Sequence, residues 1–208
     1  MMKRLFASFC ALMMLVSSSA FATSDSPVET IRDGARQVLD LLKQDNGKNT
    51  RQIRQQVEAV AVPQFDFQRM TALAVGRGWR QATPEQQQQL SQEFQTLLVR
   101  IYTSTMTRYK GTQVDVKPNP ILASNGREAT VKSEVTLPNS SDKKPVSIDY
   151  TLYKTSQGWK IYNVSVEGAS LVTVYRNQFN DEINKNGVDG LIKMLKDKNA
   201  GVTAKGNA

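Results

Sequence analysis

Apolar positions along the chain recur first with a helical period, then with a strand period, then with a helical one again. Ser26-Pro27-Val28-Glu29 is a capping box with proline at the first helical position. Ile31, Ala35, Val38, Leu39 and Leu42 follow at helical spacing until Asp45-Asn46-Gly47 ends the run. A second helix is predicted around residues 50–62, with Ile53, Val57 and Val60 on one face and Pro63 as its stop. Phe65 and Phe67 lead into a short helix carrying Met70, Leu73 and Ala74, which closes at Gly76. Thr83-Pro84-Glu85-Gln86 is a second capping box and opens the longest periodic stretch, expected to reach Tyr109 and stop at Gly111. Its apolar stripe is Leu90, Phe94, Leu97, Leu98, Ile101, Tyr102 and Thr105.

The period then drops to two. A short strand is expected near residues 113–116; Ala129, Val131, Ser133, Val135 and Leu137 then alternate with polar residues, as do Val146, Ile148, Tyr150 and Leu152. Ser156-Gln157-Gly158 turns the chain into a further strand, residues 159–166, whose parity changes partway. Trp159 and Ile161 share one side, and Tyr162, Val164 and Val166 the other, so the strand is either covered on both sides or bulged. After Gly168 the helical period returns with Leu171, Val172, Tyr175, Phe179 and Ile183. Asn186-Gly187 breaks it, and Val188, Leu191, Ile192 and Leu195 mark a last helix.

These elements predict an α+β fold. N-terminal helices and one long helix pack on a curved antiparallel sheet, cone- or cup-shaped, and C-terminal helices pack back on it. Residues 23–196 are expected to form one domain, with a helical annex at 26–76 and the sheet-and-helix cup at 83–196. Residues 197–208 are polar and expected to be a flexible tail. Residues 1–22 have the composition of a cleavable secretory presequence: Lys3 and Arg4, an apolar run from Leu5 to Val16, then Ala20-Phe21-Ala22. The alternative, a membrane anchor, is disfavoured because the run is about 12 residues and a spanning helix needs about 20. Cys10 lies mid-run behind Phe9, the wrong place for a lipidated cysteine.

Composition excludes much chemistry. The 208 residues contain no histidine, so Ser-His and Cys-His nucleophile pairs and His-ligated metals are out. The single cysteine falls in the presequence, which removes disulfide frameworks and Cys-ligated zinc. No cofactor is expected: Gly76-Arg77-Gly78 lacks the third glycine of a dinucleotide fingerprint, and Trp79 follows it. Glu134, Asp149 and Glu167 are the carboxylates that could meet across the sheet as an acid/base pair, although ordinary outward-facing carboxylates are the simpler reading. Glu167 precedes Gly168-Ala169-Ser170-Leu171, where a carboxylate is suited to clamp a helix N-terminus. The net charge of +8 falls to +6 without Lys3 and Arg4. Its Lys and Arg are scattered, so nucleic acid is not an expected partner; the excess reads as a solvated surface or as mild attraction to anionic headgroups.

The blocks Gly76-Arg77-Gly78-Trp79-Arg80-Gln81-Ala82-Thr83-Pro84-Glu85-Gln86, Trp159-Lys160-Ile161-Tyr162-Asn163-Val164 and Val166-Glu167-Gly168-Ala169-Ser170-Leu171 follow one another along the chain. With Tyr150-Thr151-Leu152, Tyr175-Arg176-Asn177-Gln178-Phe179 and Gly187-Val188-Asp189-Gly190-Leu191, they resemble the MlaC family of periplasmic phospholipid-binding proteins, the toluene-tolerance auxiliary components. Asn163 stands where the resemblance leads one to expect aspartate, and Gly78 where a larger residue is common. The resemblance implies a nuclear-transport-factor-like cup holding acyl chains. It also implies a soluble periplasmic carrier shuttling glycerophospholipid between an outer-membrane lipoprotein–porin complex and the lipid-binding ring of an inner-membrane ABC transporter, and so maintaining outer-membrane lipid asymmetry. Such a protein is no enzyme.

If the inner faces of the strands and the long helix line the pocket, its residues are Leu97, Ile101, Val131, Val135, Ile148, Tyr150, Leu152, Ile161, Leu171, Tyr175 and Phe179. Three other classes stay open on residues alone: a carrier of another apolar molecule, a cup-shaped isomerase or dehydratase, and a ligand-free scaffold.

Overall fold

A computed structural model describes residues 26–104, 110–138 and 144–206. The expected presequence, Thr105 and the end of the long helix therefore lie outside the described residues. Helix α1, Pro27–Lys43, starts as its capping box predicts: Glu29 N–H donates to Ser26 Oγ, and proline occupies the first turn. It ends before a turn in which Gly47 has φ 81°, where Asp45 Oδ1 accepts from Gly47 N–H and from the Thr50 hydroxyl, each at 2.8 Å. Those two donors hold the Asp45 carboxyl below its ordinary pKa. Helix α2 spans Thr50–Ala61 and runs into a 3-10 turn at Val62–Gln64 that contains Pro63.

Helix α3, Phe67–Val75, is capped by Asp66, whose carboxylate accepts from Arg69 N–H at 2.8 Å. The five-residue α4, Arg77–Gln81, was too short to leave a periodic signal. Helix α5, Pro84–Ser104, opens with a reciprocal box: Gln86 N–H donates to Thr83 Oγ1 at 3.2 Å, and Thr83 N–H donates to Gln86 Oε1 at 2.9 Å.

Six strands form one open antiparallel sheet: β1 (Gln113–Val116), β2 (Ile121–Leu122), β3 (Glu128–Thr136), β4 (Val146–Thr155), β5 (Gly158–Val166) and β6 (Ala169–Ser170). Their order is β1-β3-β4-β5-β6, and β2 pairs with β3 beyond β1. Helix α6, Leu171–Gly206, is interrupted at Gly187, whose φ of 70° and ψ of −172° break the helix where Asn186-Gly187 predicted.

The tail expectation needs correcting. The helix continues past residue 196, and Asn199 is buried. Its Nδ2 donates to Glu93 O at 3.0 Å and Glu93 Oε2 at 2.7 Å, and Arg100 Nη1 donates to Asn199 O at 2.8 Å. Polar composition signals solvent only when no partner is supplied, and here α5 supplies one.

Two main cores result. Phe94, Leu97 and Leu98 of α5, Met70 and Ala74 of α3, and Phe179, Leu191 and Leu195 of α6 form a helical core. Phe94 meets Tyr175 and Phe179 edge-on at 4.8 and 5.1 Å. In the second core, Val28 and Ile31 of α1 cover Val116, Ala129, Val131, Leu152, Trp159 and Ile161 of the sheet. Phe65 touches both cores. The chain around it seals the edge of β5: Phe65 bridges Ile161, Asp66 N–H donates to Ile161 O at 2.8 Å, and Lys160 Nζ donates to Pro63 O at 2.6 Å.

On the opposite side of the sheet, Arg69 lies between the rings of Tyr153 and Tyr162, 4.2 and 4.1 Å from their centroids. It pairs with Glu128 at 2.5 Å, and the Tyr153 hydroxyl donates to Asp66. Burial is the first cause pushing both phenols above their usual pKa; for Tyr153 Asp66 adds to it, and for Tyr162 Glu128 does. Arg69→Ala should cost about 2 kcal/mol in urea unfolding, with Arg69→Lys recovering only part because an ammonium cannot lie flat between two rings. Phe94→Ala should cost about 3–5 kcal/mol in the same measurement.

Candidate functional site

Register decides what the sheet presents to α1. Ala129, Val131, Ser133 and Val135 of β3 stand opposite Leu152, Tyr150, Ile148 and Val146 of β4. Between the pairs Thr151–Asn163 and Leu152–Ile161 the register slips by one residue, and Tyr162 is left out of the ladder. This is the bulge that the broken parity of β5 allowed. It puts Val164 and Val166 on the same side as Ile161 and Trp159 and sends Tyr162 to the other side with Arg69. With Val114 and Val116 of β1, every one of these strand positions is uncharged.

Two hydroxyls interrupt the oil. Ser133 is buried, and its Oγ donates to Ile148 O at 3.1 Å. Burial pushes the Tyr150 phenol above its ordinary pKa, and the Ser133 side chain beside it pulls it partly back.

The eleven residues expected to line a pocket separate into three groups. Leu97, Tyr175 and Phe179 belong to the helical core, and Val131, Tyr150, Leu152 and Ile161 to the sheet core. Val135, Ile148, Leu171 and Ile101 join neither, and Ile101 is 37% exposed. Val135 is nevertheless buried, whereas Ile148, Leu171 and the sheet neighbours of Ile148, Val146 and Val166, are half-buried outside the clusters. The structure thus places a strip of incompletely covered aliphatic surface at the end of the sheet nearest the start of α6. Helix α5 packs mainly on α3 and α6, and its contact with the strands is slight among the described residues. Two surface clefts are lined by other residues. Among the described residues no helix is long and apolar enough to cross a membrane, and no group of carboxylates could hold a metal ion.

Residues 32–197 match the family described as MlaC protein. The chain belongs to the MlaC family. It is 33% identical over 110 residues to the toluene tolerance protein Ttg2D of Pseudomonas putida, a match covering 53% of this chain and 49% of that protein; the chain thus spans about half the length of this relative. Among solved structures it resembles a phospholipid-binding protein from Ralstonia solanacearum in complex with a phospholipid. That likeness has a TM-score of 0.74 and 37% identity, over 84% of this chain and 97% of the other.

The blocks that carried the resemblance to MlaC proteins serve the frame more than the strip. Gly76, at φ 64°, turns α3 into α4. Gly78 lies so close to Ile183 that a Cβ there would meet Ile183 Cδ1 at 2.7 Å. Gln86 Nε2 donates to Asp189 Oδ1 at 2.7 Å, and Arg176 Nε donates to Leu73 O at 2.9 Å, so distant blocks hold one another.

The carboxylates do not form an acid/base pair on the uncharged face. Glu134 pairs with Lys117 at 2.8 Å on the other side, and Asp149 faces that side too, opposite Lys132 in register. One Asp149 oxygen is buried there without a hydrogen-bond partner.

Glu167 is a clamp, but for a strand. Its carboxylate accepts from Ser147 N–H at 2.5 Å, and its own N–H donates to Ser147 O at 2.9 Å. It does so at φ 49°, which frees it from the strand geometry that precedes it. The α6 N-terminus is held instead by residues that sequence reasoning gave no such role. Thr173 N–H donates to Ser170 Oγ at 3.2 Å, while Asn163 Oδ1 accepts from the Ser170 hydroxyl at 3.0 Å and from Val172 N–H at 3.4 Å. A β-bulge that re-aims Asn163 was the signal to look for.

Asn163→Asp should add about 0.5–1 kcal/mol of stability at pH 7, because a carboxylate suits a helix N-terminus. The donors would hold its folded pKa below the unfolded value, so the gain is present above about pH 4 and lost as pH falls through the folded pKa. Urea midpoints of the variant and the parent at pH 7 and pH 3 check both statements.

Proposed function

We propose that this protein is a periplasmic phospholipid carrier and that the uncharged sheet face, from Val131, Val135 and Tyr150 to the open strip at Ile148 and Leu171, is its acyl-chain wall. One observation carries the reading: a solved protein 37% identical to this one over nearly its whole length is described as phospholipid-binding and in complex with a phospholipid. The half-buried strip at the end of the wall agrees with it, since a chain of methylenes needs surface without charge and with side chains not already covered by neighbours.

The energetics set the rest. Leaving two acyl chains of about 30 methylenes in water would cost roughly 24 kcal/mol, at about 0.8 kcal/mol per group. A protein wall that covers them removes most of that barrier to crossing an aqueous space. Bilayer and wall are both apolar, so the net transfer energy between them is small, and docking to a partner sets direction. The partners we assign are an outer-membrane lipoprotein–porin complex on one side and the lipid-binding ring of an inner-membrane ABC transporter on the other. The outcome would be maintenance of outer-membrane lipid asymmetry. No step makes or breaks a covalent bond, and the uncharged face offers no acid or base for one.

Lipid mass spectrometry of the mature protein purified from cells should find glycerophospholipid in stoichiometric amount. A quinone or another apolar compound in its place would reassign the cargo, and no ligand at all would overturn the carrier reading. Ile148→Trp, which puts an indole into the open strip, should lower bound lipid several-fold while leaving the circular dichroism spectrum and thermal midpoint near those of the parent. Unchanged lipid content would remove Ile148 from the wall.

A further inference from the structure

Helix α1 is anchored at both ends to different partners. Val28 and Ile31 are buried against the sheet, and Leu42 is buried against Ile53 and Val57 of α2. Between these anchorages the helix stands off from β1, the edge strand, and leaves a cleft of about 370 Å³. Its floor is Ala35, Leu39, Val114 and Val116. Val114 and Val116 face the same side of the sheet as Val135 and Ser133, their register partners, and Val116 sits in one core with Val131. The floor is therefore continuous with the proposed acyl-chain wall.

The mouth of the cleft has the opposite chemistry. Arg36 projects there, 65% exposed, and among the described residues it pairs with Asp33 on its own helix at 2.7 Å. An exposed pair of this kind contributes little, so the guanidinium can turn to a better acceptor. A phosphodiester is such an acceptor, taken by two parallel N–H bonds. Asp40 and Asp115 also line the mouth, paired with Lys43 at 2.8 Å and with Lys117 at 2.7 Å, but the cations of the lining, Arg32, Arg36 and Lys43, outnumber them. An oily floor joined to the wall, with a cation at its lip, matches the two ends of a glycerophospholipid.

Building on the carrier reading, we propose that the cleft between α1 and β1 is the lateral entrance through which acyl chains reach the wall, with Arg36 engaging the phosphate during passage. The lipid therefore enters from the side of the sheet, past its edge strand.

The test follows uptake of fluorescent phosphatidylcholine from phosphatidylcholine vesicles into delipidated protein. Vesicles without net charge keep bulk attraction out of the rate. Arg36→Glu and Ala35→Trp should each slow loading at least tenfold and leave the final amount bound unchanged. Arg127→Glu, an equal change of charge on an exposed turn away from the cleft, should load at the parental rate. Parental rates in Arg36→Glu overturn the entrance, as does an equal slowing in Arg127→Glu. If Ala35→Trp does not fold, Arg36→Glu decides alone, since its side chain is exposed and supports no core. Uptake by the parent separates the two claims: a parent that takes up no lipid sinks the carrier reading, whereas a parent that loads no faster than Arg36→Glu sinks the entrance only.

Discussion

A one-residue slip in the pairing of β4 with β5 governs the molecule. Without it, Val164 and Val166 would face the same way as Tyr162, and Trp159 and Ile161 the opposite way. With it, the aliphatic residues of β5 all fall on one side, and the ring of Tyr162 falls on the other, where it completes the Arg69 stack. The sheet thereby gains one side on which, among the described strand residues, Lys154 at the end beside Trp159 is the sole charge, and one that holds Arg69, Glu128, Lys132 and Glu134. Both packing and the candidate site depend on that separation.

Uses of the two sides follow from their chemistry. The charged side is tied down by specific, directional contacts: a guanidinium between rings, a tyrosine on the Asp66 cap, and Glu167 gripping the backbone of Ser147. The uncharged side is held chiefly by burial, and burial is uneven. At the end near Val28 and Ile31 it is packed into a core, whereas at the end near Ile148 and Leu171 it is half-covered. A non-directional force that stops partway along a face leaves surface available to any apolar partner, and a lipid is the partner that the relatives of this chain suggest.

Sequence patterning carried the frame well because capping and period are local. The boxes at Ser26 and Thr83, the break at Gly187 and the strand alternation all concern residues within a few positions of one another. The two-residue strands β2 and β6 lie below the length at which a period exists, and the five-residue α4 is little more than one helical turn. The candidate wall was half legible for a different reason. Alternation says which side of a strand is apolar, but not which element covers it; so Phe179 and Leu152, both fully buried, were grouped with Ile148, which is not. Asn199 and Asn163 show the same limit for polar residues, since their partners come from α5 in the first case and from β6 and the start of α6 in the second.

Phe65 is the side chain that the helical core and the sheet core hold in common. Substitutions deep within one core and deep within the other, sharing no neighbour, should combine additively in their effects on stability. Changes paired with one at Phe65 should not, because a shift of its ring alters the packing of both partners at once. Among the described residues, coupling between the two cores is thus concentrated at a junction of a single residue, immediately before the aspartate that caps α3.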